Sequence, residues 1–378
     1  MHFKPLALCA MIVTALPSRA QIQILAGSND NPNPLINATH NDPAIHYEAE
    51  VANSGSTSGT AANLAFNQVR VSKVGTTGCS LVAQTNNGSN NVSIYLFTAA
   101  GISPVPGSPF ATGVGTQSLA WAADGGALYV PLAVAGSANV VTLTISCAVG
   151  GGPVTVTNAG TVALTGFDLL RDAEVIGTGM GSHLCVTGTN SNNVGCVPIL
   201  ASRLPGNTAV NTMTVSNARG VRISPTNCGV VGSGDTTTVH AFSVSGASGT
   251  IVPTNTATAA TLPRYGAIYS NGSLAAFGGL GSQFTLYSLD GSCQITRVAS
   301  NDNGIATSLV EYMAYAGTSL WVADSLANRI RGFTPTAGGI GTPFITSTTN
   351  HATTNGPGGI EAAFRFELPV GLMDFSVD

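Results

Sequence analysis

Charge is scarce in this chain of 378 residues, since Asp, Glu, Lys and Arg together make up 8% of it and the formal net charge is -4. No cluster of Lys or Arg occurs, so the counterion release that drives nucleic-acid binding has nothing to act through. Patterns typical of long amphipathic helices are also missing. These absences exclude a nucleic-acid-binding protein and argue against a helical domain.

Apolar residues and glycine are abundant instead. The sequence is 44% apolar and contains 46 Gly, together with many Thr, Ser and Asn residues. A chain of this length and composition can bury a large core. Gly and Asn at short intervals are typical of tight turns between short strands. Composition therefore favours an all-β domain.

The N-terminus predicts export. A basic start at residues 1–4 precedes an apolar run at 5–16 and a short polar stretch, the pattern of a signal peptide cleaved before Gln21. The run is too short to span a bilayer, and we expect no transmembrane segment in the mature chain. The alternative is a lipoprotein anchored through Cys9. In either case we predict a periplasmic, extracellular or cell-surface protein.

The cysteine count fits an exported protein. Removing Cys9 from the seven cysteines leaves six, an even number that suggests disulfides in an oxidising compartment. Cys185 and Cys196 flank a predicted hairpin, and an antiparallel register can place their sulfurs opposite each other. The other four can pair in three ways, and buried free thiols are the alternative. Those four are Cys79, Cys147, Cys228 and Cys293.

A unit of several short strands recurs every 45 to 55 residues or so, a period that indicates a propeller or another repeat array. One copy covers residues 118–130 and 139–145. A single unit of this kind cannot bury both of its faces, so neighbouring units must pack against one another.

Seven segments can form the innermost strand of such a unit. They are residues 68–72, 118–124, 167–172, 220–225, 266–271, 312–317 and 370–377. A second strand follows six of them and begins near Ser80, Leu128, Leu184, Gly229, Leu274 and Leu320. The seventh segment runs into the C-terminus and lacks this continuation.

The N-terminal region can supply the missing strands. Segments 21–25 and 45–51 read as strands, and pairing them with the last unit would close the ring and remove exposed edges. We therefore predict an all-β fold, a seven-bladed β-propeller with a closing blade shared by the N- and C-termini. The predicted organisation is a signal peptide at 1–20, the closing-blade segment at 21–63 and propeller repeats at 64–378. An open or six-bladed ring with a free leader is the alternative.

Two stretches resemble known families. Residues 104–110, Pro-Val-Pro-Gly-Ser-Pro-Phe, followed by the repeat at 118–130, resemble the seven-bladed lactonase-type propellers, including the 6-phosphogluconolactonase-like group. Residues 320–335, beginning Leu-Trp-Val-Ala-Asp, resemble an NHL repeat. The resemblance implies a propeller from about residue 64 onward. It says little about activity, because both groups include enzymes and binding proteins.

Residues just ahead of the innermost strands are the candidates for a ligand site, because loops from every blade converge at that mouth of the channel. They are Gln68, Gln117, Arg219, Arg264 and Glu311. The sequence Pro263-Arg264-Tyr265 resembles the Pro-Arg-His of the 6-phosphogluconolactonase-like group, whose Arg and His belong to its proposed site. Tyr265 replaces that His, the group best suited to proton transfer near neutral pH. Arg264 can still bind an anionic or carbonyl-bearing ligand, although a solvated or ion-paired role is the alternative.

No other motif supplies chemistry. A Gly-x-Ser-x-Gly nucleophile motif is absent, and the histidines of the mature chain are scattered without metal-ligand spacing. We expect no metal and no cofactor, and we identify no catalytic residue. We therefore predict a non-enzymatic binding or interaction scaffold for a protein, glycan or small molecule. The alternatives are a lactonase-type hydrolase or lyase around Arg264, assisted by Arg219 and Glu311, and a surface-layer or adhesion component.

Overall fold

The computed structural model describes most of the chain between residues 21 and 365. The described residues are 21–28, 35–41, 44–51, 68–72, 79–98, 101–147, 153–178, 181–269, 271–301, 310, 312–316, 318–324, 329–341, 345–348 and 357–365. The predicted signal peptide lies outside them, as do Glu311 and the segment 370–377.

The described residues form 29 strands and one short 3-10 turn at Asn87–Ser89. The first fifteen strands are β1 Gln21–Ser28, β2 Leu35–Asn41, β3 Ala44–Val51, β4 Val69–Val71, β5 Ser80–Asn86, β6 Asn91–Thr98, β7 Gly101–Pro104, β8 Phe110–Ala111, β9 Ala120–Trp121, β10 Ala127–Pro131, β11 Asn139–Cys147, β12 Val154–Ala163, β13 Leu170–Ile176, β14 His183–Gly188 and β15 Asn193–Pro198. The remaining strands are β16 Thr212–Thr214, β17 Ala218–Ile223, β18 Cys228–Ser233, β19 Thr238–Val244, β20 Ile251–Thr258, β21 Leu262–Ile268, β22 Leu274–Leu280, β23 Phe284–Leu289, β24 Ile295–Asn301, β25 Tyr312–Ala316, β26 Ser319–Asp324, β27 Arg329–Phe333, β28 Ile345–Thr348 and β29 Pro357–Arg365.

Antiparallel pairing groups these strands into sheets that we number along the chain. Sheet 1 contains β4–β8, sheet 2 β9–β12, sheet 3 β13–β16, sheet 4 β17–β20, sheet 5 β21–β24 and sheet 6 β25–β28. Sheet 7 has the order β29-β1-β2-β3. The innermost strands contact one another in the order β4, β9, β13, β17, β21, β25 and β29, and β29 contacts β4. The prediction of an all-β β-propeller is confirmed.

The prediction of seven blades needs correction, because six of the described sheets are regular four-stranded blades and sheet 1 departs from that pattern. Strand β6 has two partners on its outer side, β7 along Tyr95–Thr98 and β8 along Asn91 and Val92. Strand β7 ends at Pro104, and Pro106 and Pro109 lie between it and β8. Proline donates no backbone hydrogen bond, so one continuous outer strand does not form there.

Sheet 7 joins the two ends of the described chain. Gln21 pairs with Arg365 and Ala26 with Ile360, so β1 and β29 run antiparallel along almost their whole length. The innermost strand is thus Pro357–Arg365, not the predicted 370–377. Leu25 and Leu35 are fully buried in an apolar cluster with Val69, Val82 and Tyr95 of sheet 1, and this cluster attaches sheet 7 to its neighbour.

Apolar side chains fill the spaces between sheets. Second strands such as β10 and β18 are buried at every position, because sheets cover both of their faces. The outer strands β12 and β20 are largely exposed and rich in Thr. Trp121 belongs to the cluster between sheets 1 and 2, and its indole N–H donates to the carbonyl of Arg70 at 3.1 Å. The core is therefore a series of inter-sheet layers around the channel.

Three disulfides reinforce this arrangement. Cys185 and Cys196, the pair singled out from the hairpin, face each other across β14 and β15 with Cα atoms 3.9 Å apart. The other bridges join neighbouring sheets: Cys79–Cys147 links sheet 1 to sheet 2, and Cys228–Cys293 links sheet 4 to sheet 5. Three disulfides suggest an exported protein. In the part of the chain that is described, no helix has the length and apolarity needed to cross a bilayer.

Candidate functional site

A buried carboxylate joins four sheets where the innermost strands begin. Asp172 on β13 is fully buried and accepts from the backbone N–H of Val221 at 3.1 Å and from the Arg222 guanidinium, both on β17. It also accepts from Gln68 Nε2 of sheet 1 at 3.3 Å. Ser118 Oγ of sheet 2 lies 2.7 Å from Asp172 Oδ1 and 2.9 Å from Gln68 Oε1, and its single proton serves one of them at a time. We call Asp172 and these hydrogen-bonding partners the Asp172 hub.

A second carboxylate lies two residues further along β13. Glu174 Oε2 is 3.4 Å from Arg70 Nη2 of β4 and 3.9 Å from Arg222 Nη1 of β17. Both flanking groups are arginines, so the negative charge is surrounded by positive charge from two other sheets. The carboxylate is therefore engaged by two ion pairs. A general base needs a carboxylate that is available to accept a substrate proton, so Glu174 is poorly suited to that role.

Three successive innermost strands each carry a β-bulge at an arginine. On β13, Leu170 pairs with Gly188 and Asp172 with Thr187, which leaves Arg171 as the extra residue. The same shift leaves Arg264 as the extra residue of β21 and places one extra residue at Arg219-Gly220 of β17. A bulge twists the strand locally and redirects its side chain, and bulges are frequent next to functional sites. We call Arg171, Arg219 and Arg264 the bulge arginines.

Two contacts fix the surroundings of the bulge arginines. Arg171 Nη1 donates to the side-chain oxygen of Gln117 on the preceding sheet. A Cβ added to Gly220 would lie 2.5 Å from the carbonyl oxygen of Arg264, so only glycine allows β17 and β21 to approach this closely. This close approach brings the backbones of Arg219 and Arg264 side by side. All three bulge arginines are half-buried.

The predicted site residues have different surroundings. Gln68 belongs to the Asp172 hub, Gln117 accepts from Arg171, and Arg219 and Arg264 occupy equivalent bulges. The structure therefore groups Gln68 with the hub and Gln117 with Arg171. Glu311 lies outside the described residues, so its predicted part in the site stays a prediction.

Arg219 extends over Gly234, since a Cβ there would lie 2.6 Å from its Nε. Its positive charge also acts on the carboxylate of Asp235. The Ser216 hydroxyl, 2.6 Å away, is the main cause of the lowered pKa of Asp235, and the Arg219 charge lowers it further.

Sequence reasoning missed Arg171, Asp172 and Arg222. The innermost strand of sheet 3 was placed from residue 167, so Arg171 fell inside a strand instead of ahead of it. A usable signal was present, because an apolar residue followed by Arg recurs at 170–171, 218–219 and 263–264 with the blade period. No comparable signal marks Asp172, whose partners lie 49 to 104 residues away in sequence.

Tyr265 takes the place of the histidine that the resemblance associates with proton transfer. Its side chain is buried and stacks on Tyr312, with ring centroids 4.6 Å apart. It packs two blades together. The histidines whose side chains are described lie on other strands: His183 begins β14, and His240 is on β19, where burial lowers its pKa.

The described innermost strands carry a net positive charge, which Asp235 in the turn between β18 and β19 offsets near Arg219. Strands β4, β13, β17 and β21 carry Arg70, Arg171, Arg219, Arg222 and Arg264 but only two acids, Asp172 and Glu174, a balance of five minus two, or +3. The whole chain has 13 Lys and Arg and a net charge of -4, so this concentration is local. Among the described residues, no group of three or more His, Cys, Asp and Glu side chains could hold a metal ion. The arrangement suits recognition of an anion.

Comparisons with known proteins agree with the fold. No family model matches the chain and no curated protein matches it, so the NHL resemblance remains a prediction. Among solved structures, the chain is similar to a functionally unknown protein from Desulfotomaculum acetoxidans, with a TM-score of 0.64, 11% identity and coverage of 90% of this chain and 98% of that one.

Two further solved structures carry functional names. The periplasmic gluconolactonase of Pseudomonas aeruginosa aligns with a TM-score of 0.64 and 13% identity over 91% of this chain and 99% of that one. A putative 6-phosphogluconolactonase from Bacteroides uniformis aligns with a TM-score of 0.56 and 13% identity over 75% of this chain and 83% of that one. At these identities the similarity establishes the β-propeller fold alone.

Proposed function

We propose that this chain is an exported β-propeller that binds an anionic small molecule at the mouth where its innermost strands begin, without turning it over. The observation that carries the proposal is the recurrence of an arginine on a β-bulge in three neighbouring blades. Guanidinium groups bind carboxylate and phosphate in a bidentate manner, and half-burial strengthens that interaction relative to open solvent. Periplasmic gluconolactonase is among the similar structures, which makes a sugar acid our first choice of ligand.

The proposal covers the organisation of the chain. Residues 1–20 act as the signal peptide, residues 21–63 contribute strands to the closing sheet, and residues 64–378 form the propeller. Sheet 1, although irregular, acts as the seventh blade of a closed ring. Contacts of β4 with both β29 and β9 support this closure.

Among the described residues of the mouth, the state of the acid and base groups supports binding without turnover. The Asp172 carboxylate is fully buried and bonded on several sides, and Glu174 is paired with two arginines. Tyr265, which replaces the histidine, packs its ring against Tyr312 and joins two blades. Lactone hydrolysis requires a group that moves a proton at the attacking water.

The second candidate function is lactone hydrolysis, and the similar structures named as gluconolactonases favour it. In that case Arg264 would polarise the lactone carbonyl, with Arg219 and Glu311 assisting. Measuring the hydrolysis of glucono-1,5-lactone by base uptake separates the two functions. A rate above the uncatalysed one that disappears in Arg264→Gln would replace our proposal with the lactonase function.

Binding is tested by calorimetry on the mature chain with D-gluconate, inorganic phosphate and neutral gluconamide. We expect gluconate to bind and gluconamide to bind at least about tenfold more weakly, because a charge-assisted hydrogen bond is lost. Phosphate binding as tight as that of gluconate would identify a general anion site.

Variants assign the binding to the mouth. Arg171→Gln and Arg264→Gln should each weaken gluconate binding at least about tenfold. Arg297→Gln is the matched control, because Arg297 is an exposed residue of the outer strand β24 and should leave affinity unchanged. Equal affinity in all three variants would exclude the bulge arginines as the site.

A further inference from the structure

A cavity lies at the other end of the blades from the bulge arginines. It has a volume of about 190 Å³ and opens between sheets 2 and 3. Ser118 precedes the innermost strand β9 and lies at the mouth, whereas Asp124 follows that strand and lines the cavity. The mouth and the cavity therefore lie at opposite ends of the propeller. Its lining residues are Ala122, Ala123, Asp124, Tyr129, Ser182, Ile199, Leu200, Ala201 and Arg203.

An ion pair between the two sheets forms one wall. Arg203 binds Asp124 in a bidentate manner, with Nη1–Oδ1 at 2.9 Å and Nη2–Oδ2 at 2.7 Å. The guanidinium lies directly on Gly126, where an added Cβ would be 2.8 Å from its Cζ atom. The Gly126 N–H donates to Asp124 Oδ1 at 2.9 Å. These contacts hold the charged pair in one geometry.

A hydroxyl group without a partner belongs to the same wall. The Tyr129 side chain is fully buried, and its hydroxyl makes no hydrogen bond to any described residue. Burial raises the pKa of Tyr129, and the charges of Arg203 and Asp124 act on it, so the neutral hydroxyl lies close to the ion pair. A buried hydroxyl left without a partner is costly, and buried polar groups usually bond to protein, water or ligand.

Size and lining together define the ligand. An apolar cavity of about 150 Å³ accommodates benzene, so one of this volume has room for one six-membered ring with small substituents. Tyr129, Ser182 and the ion pair contribute hydroxyl, carboxylate and guanidinium groups to the lining. Ile199, Leu200 and the alanines contribute apolar surface. A hydroxylated ring presents both kinds of surface.

We propose that this cavity is a binding site for a single hydroxylated six-membered ring, of the monosaccharide or cyclitol type, whose hydroxyls bond to the Arg203–Asp124 pair and, after a small shift of the buried Tyr129 side chain, to the hydroxyl of that tyrosine. The site is independent of the bulge arginines and does not depend on the function proposed for them.

The test is titration of the mature chain with D-glucose, D-galactose and myo-inositol, monitored by calorimetry and ligand-observed NMR. We expect at least one of the three to bind, and Tyr129→Phe to weaken that binding about five- to tenfold through loss of one hydrogen bond. Phenylalanine keeps the shape of the ring. Because it also removes an unpartnered hydroxyl, we expect the melting temperature of the ligand-free variant to stay the same or rise.

Tyr287→Phe is the matched control. Tyr287 is also fully buried, but it lies three sheets away on β23 with its hydroxyl near Thr285, so its removal should leave sugar binding unchanged. Ala123→Phe provides a second variant, which should abolish binding by filling the cavity. If none of the three compounds binds, the proposal is wrong, and a lower melting temperature of Tyr129→Phe would then show that the cavity holds water. Equal loss of binding in both tyrosine variants would also refute the proposal.

Discussion

Arg222 on β17 donates to the fully buried carboxylate of Asp172 on β13, so the two innermost strands are joined by an ion pair inside the propeller. Removing one partner of a buried pair leaves the other charge without compensation, which usually costs about 3 to 5 kcal/mol. Asp172 also accepts from the backbone N–H of Val221. Replacing Asp172 with a neutral side chain therefore weakens both its ion pair with Arg222 and this hydrogen bond.

We therefore expect Asp172→Asn to lower the free energy of unfolding by about 3 kcal/mol, measured by urea denaturation. The control is Asp235→Asn, at an exposed turn carboxylate, which should cost less than about 1 kcal/mol. A neutral effect of Asp172→Asn would mean that water replaces the pair at no cost.

Closure of the ring depends on Leu25, which is fully buried between β1 and sheet 1. Leu25→Ala should lower the free energy of unfolding by about 2 to 5 kcal/mol through loss of buried area and the resulting cavity. Leu280→Ala, at a residue that is 41% exposed, serves as the comparison and should cost less than about 1 kcal/mol. Similar small effects at both positions would show that the N-terminal strands add little to stability.

The disulfides should contribute unequally. Cys228–Cys293 closes a loop with a sequence separation of 65, whereas the separation for Cys185–Cys196 is 11. In the chain-entropy model, the longer loop gives about 4 kcal/mol and the shorter about 3 kcal/mol of stabilisation. The double variant Cys228→Ser with Cys293→Ser should therefore unfold at lower urea concentration than Cys185→Ser with Cys196→Ser. The reverse order would show that native-state packing outweighs loop entropy.

Stability should fall in mild acid because of His183. Burial is the main cause that lowers the pKa of His183 below its ordinary value of 6.5, and the ring packs against Gly249 of the next sheet. The unfolded chain then binds a proton more readily than the folded chain, so His183 favours folding above pH 6.5 and loses that contribution as the pH falls toward the folded pKa.

Unfolding free energies measured between pH 7.5 and pH 5.5 check this dependence. His183→Asn should show a smaller decrease over that range than the unaltered chain, since the substituted side chain does not titrate. His240→Asn is a useful second variant, because burial lowers the pKa of His240 too. Parallel curves for the unaltered chain and for His183→Asn would exclude this residue as a source of the pH dependence.

The positions of second strands could be predicted from the sequence. Strands β10, β14, β18, β22 and β26 begin within one residue of the predicted starts, because each is a compact apolar block bounded by turn residues. The innermost strand of sheet 7 was misplaced. Its segment, Pro357–Arg365, begins with a proline and two glycines and lacks the alternation shown by 370–377.

Much of the site could not be read from local patterns. The bulges at Arg219 and Arg264 depend on register with the second strand, and the Asp172 hub depends on residues from three other sheets. Pairing of Cys79 with Cys147, and of Cys228 with Cys293, is decided by which sheets are neighbours. Long-range packing therefore determines what composition and spacing leave open.

The register of β1 with β29 has a mechanical consequence. Gln21 lies opposite Arg365, so the two strands enter and leave the sheet at the same end. A force that pulls these ends apart acts on one hydrogen-bonded pair at a time and unzips the seam instead of shearing it. The propeller is thus built to open first at this seam under tension, while the inter-sheet disulfides still hold sheet 1 to sheet 2 and sheet 4 to sheet 5.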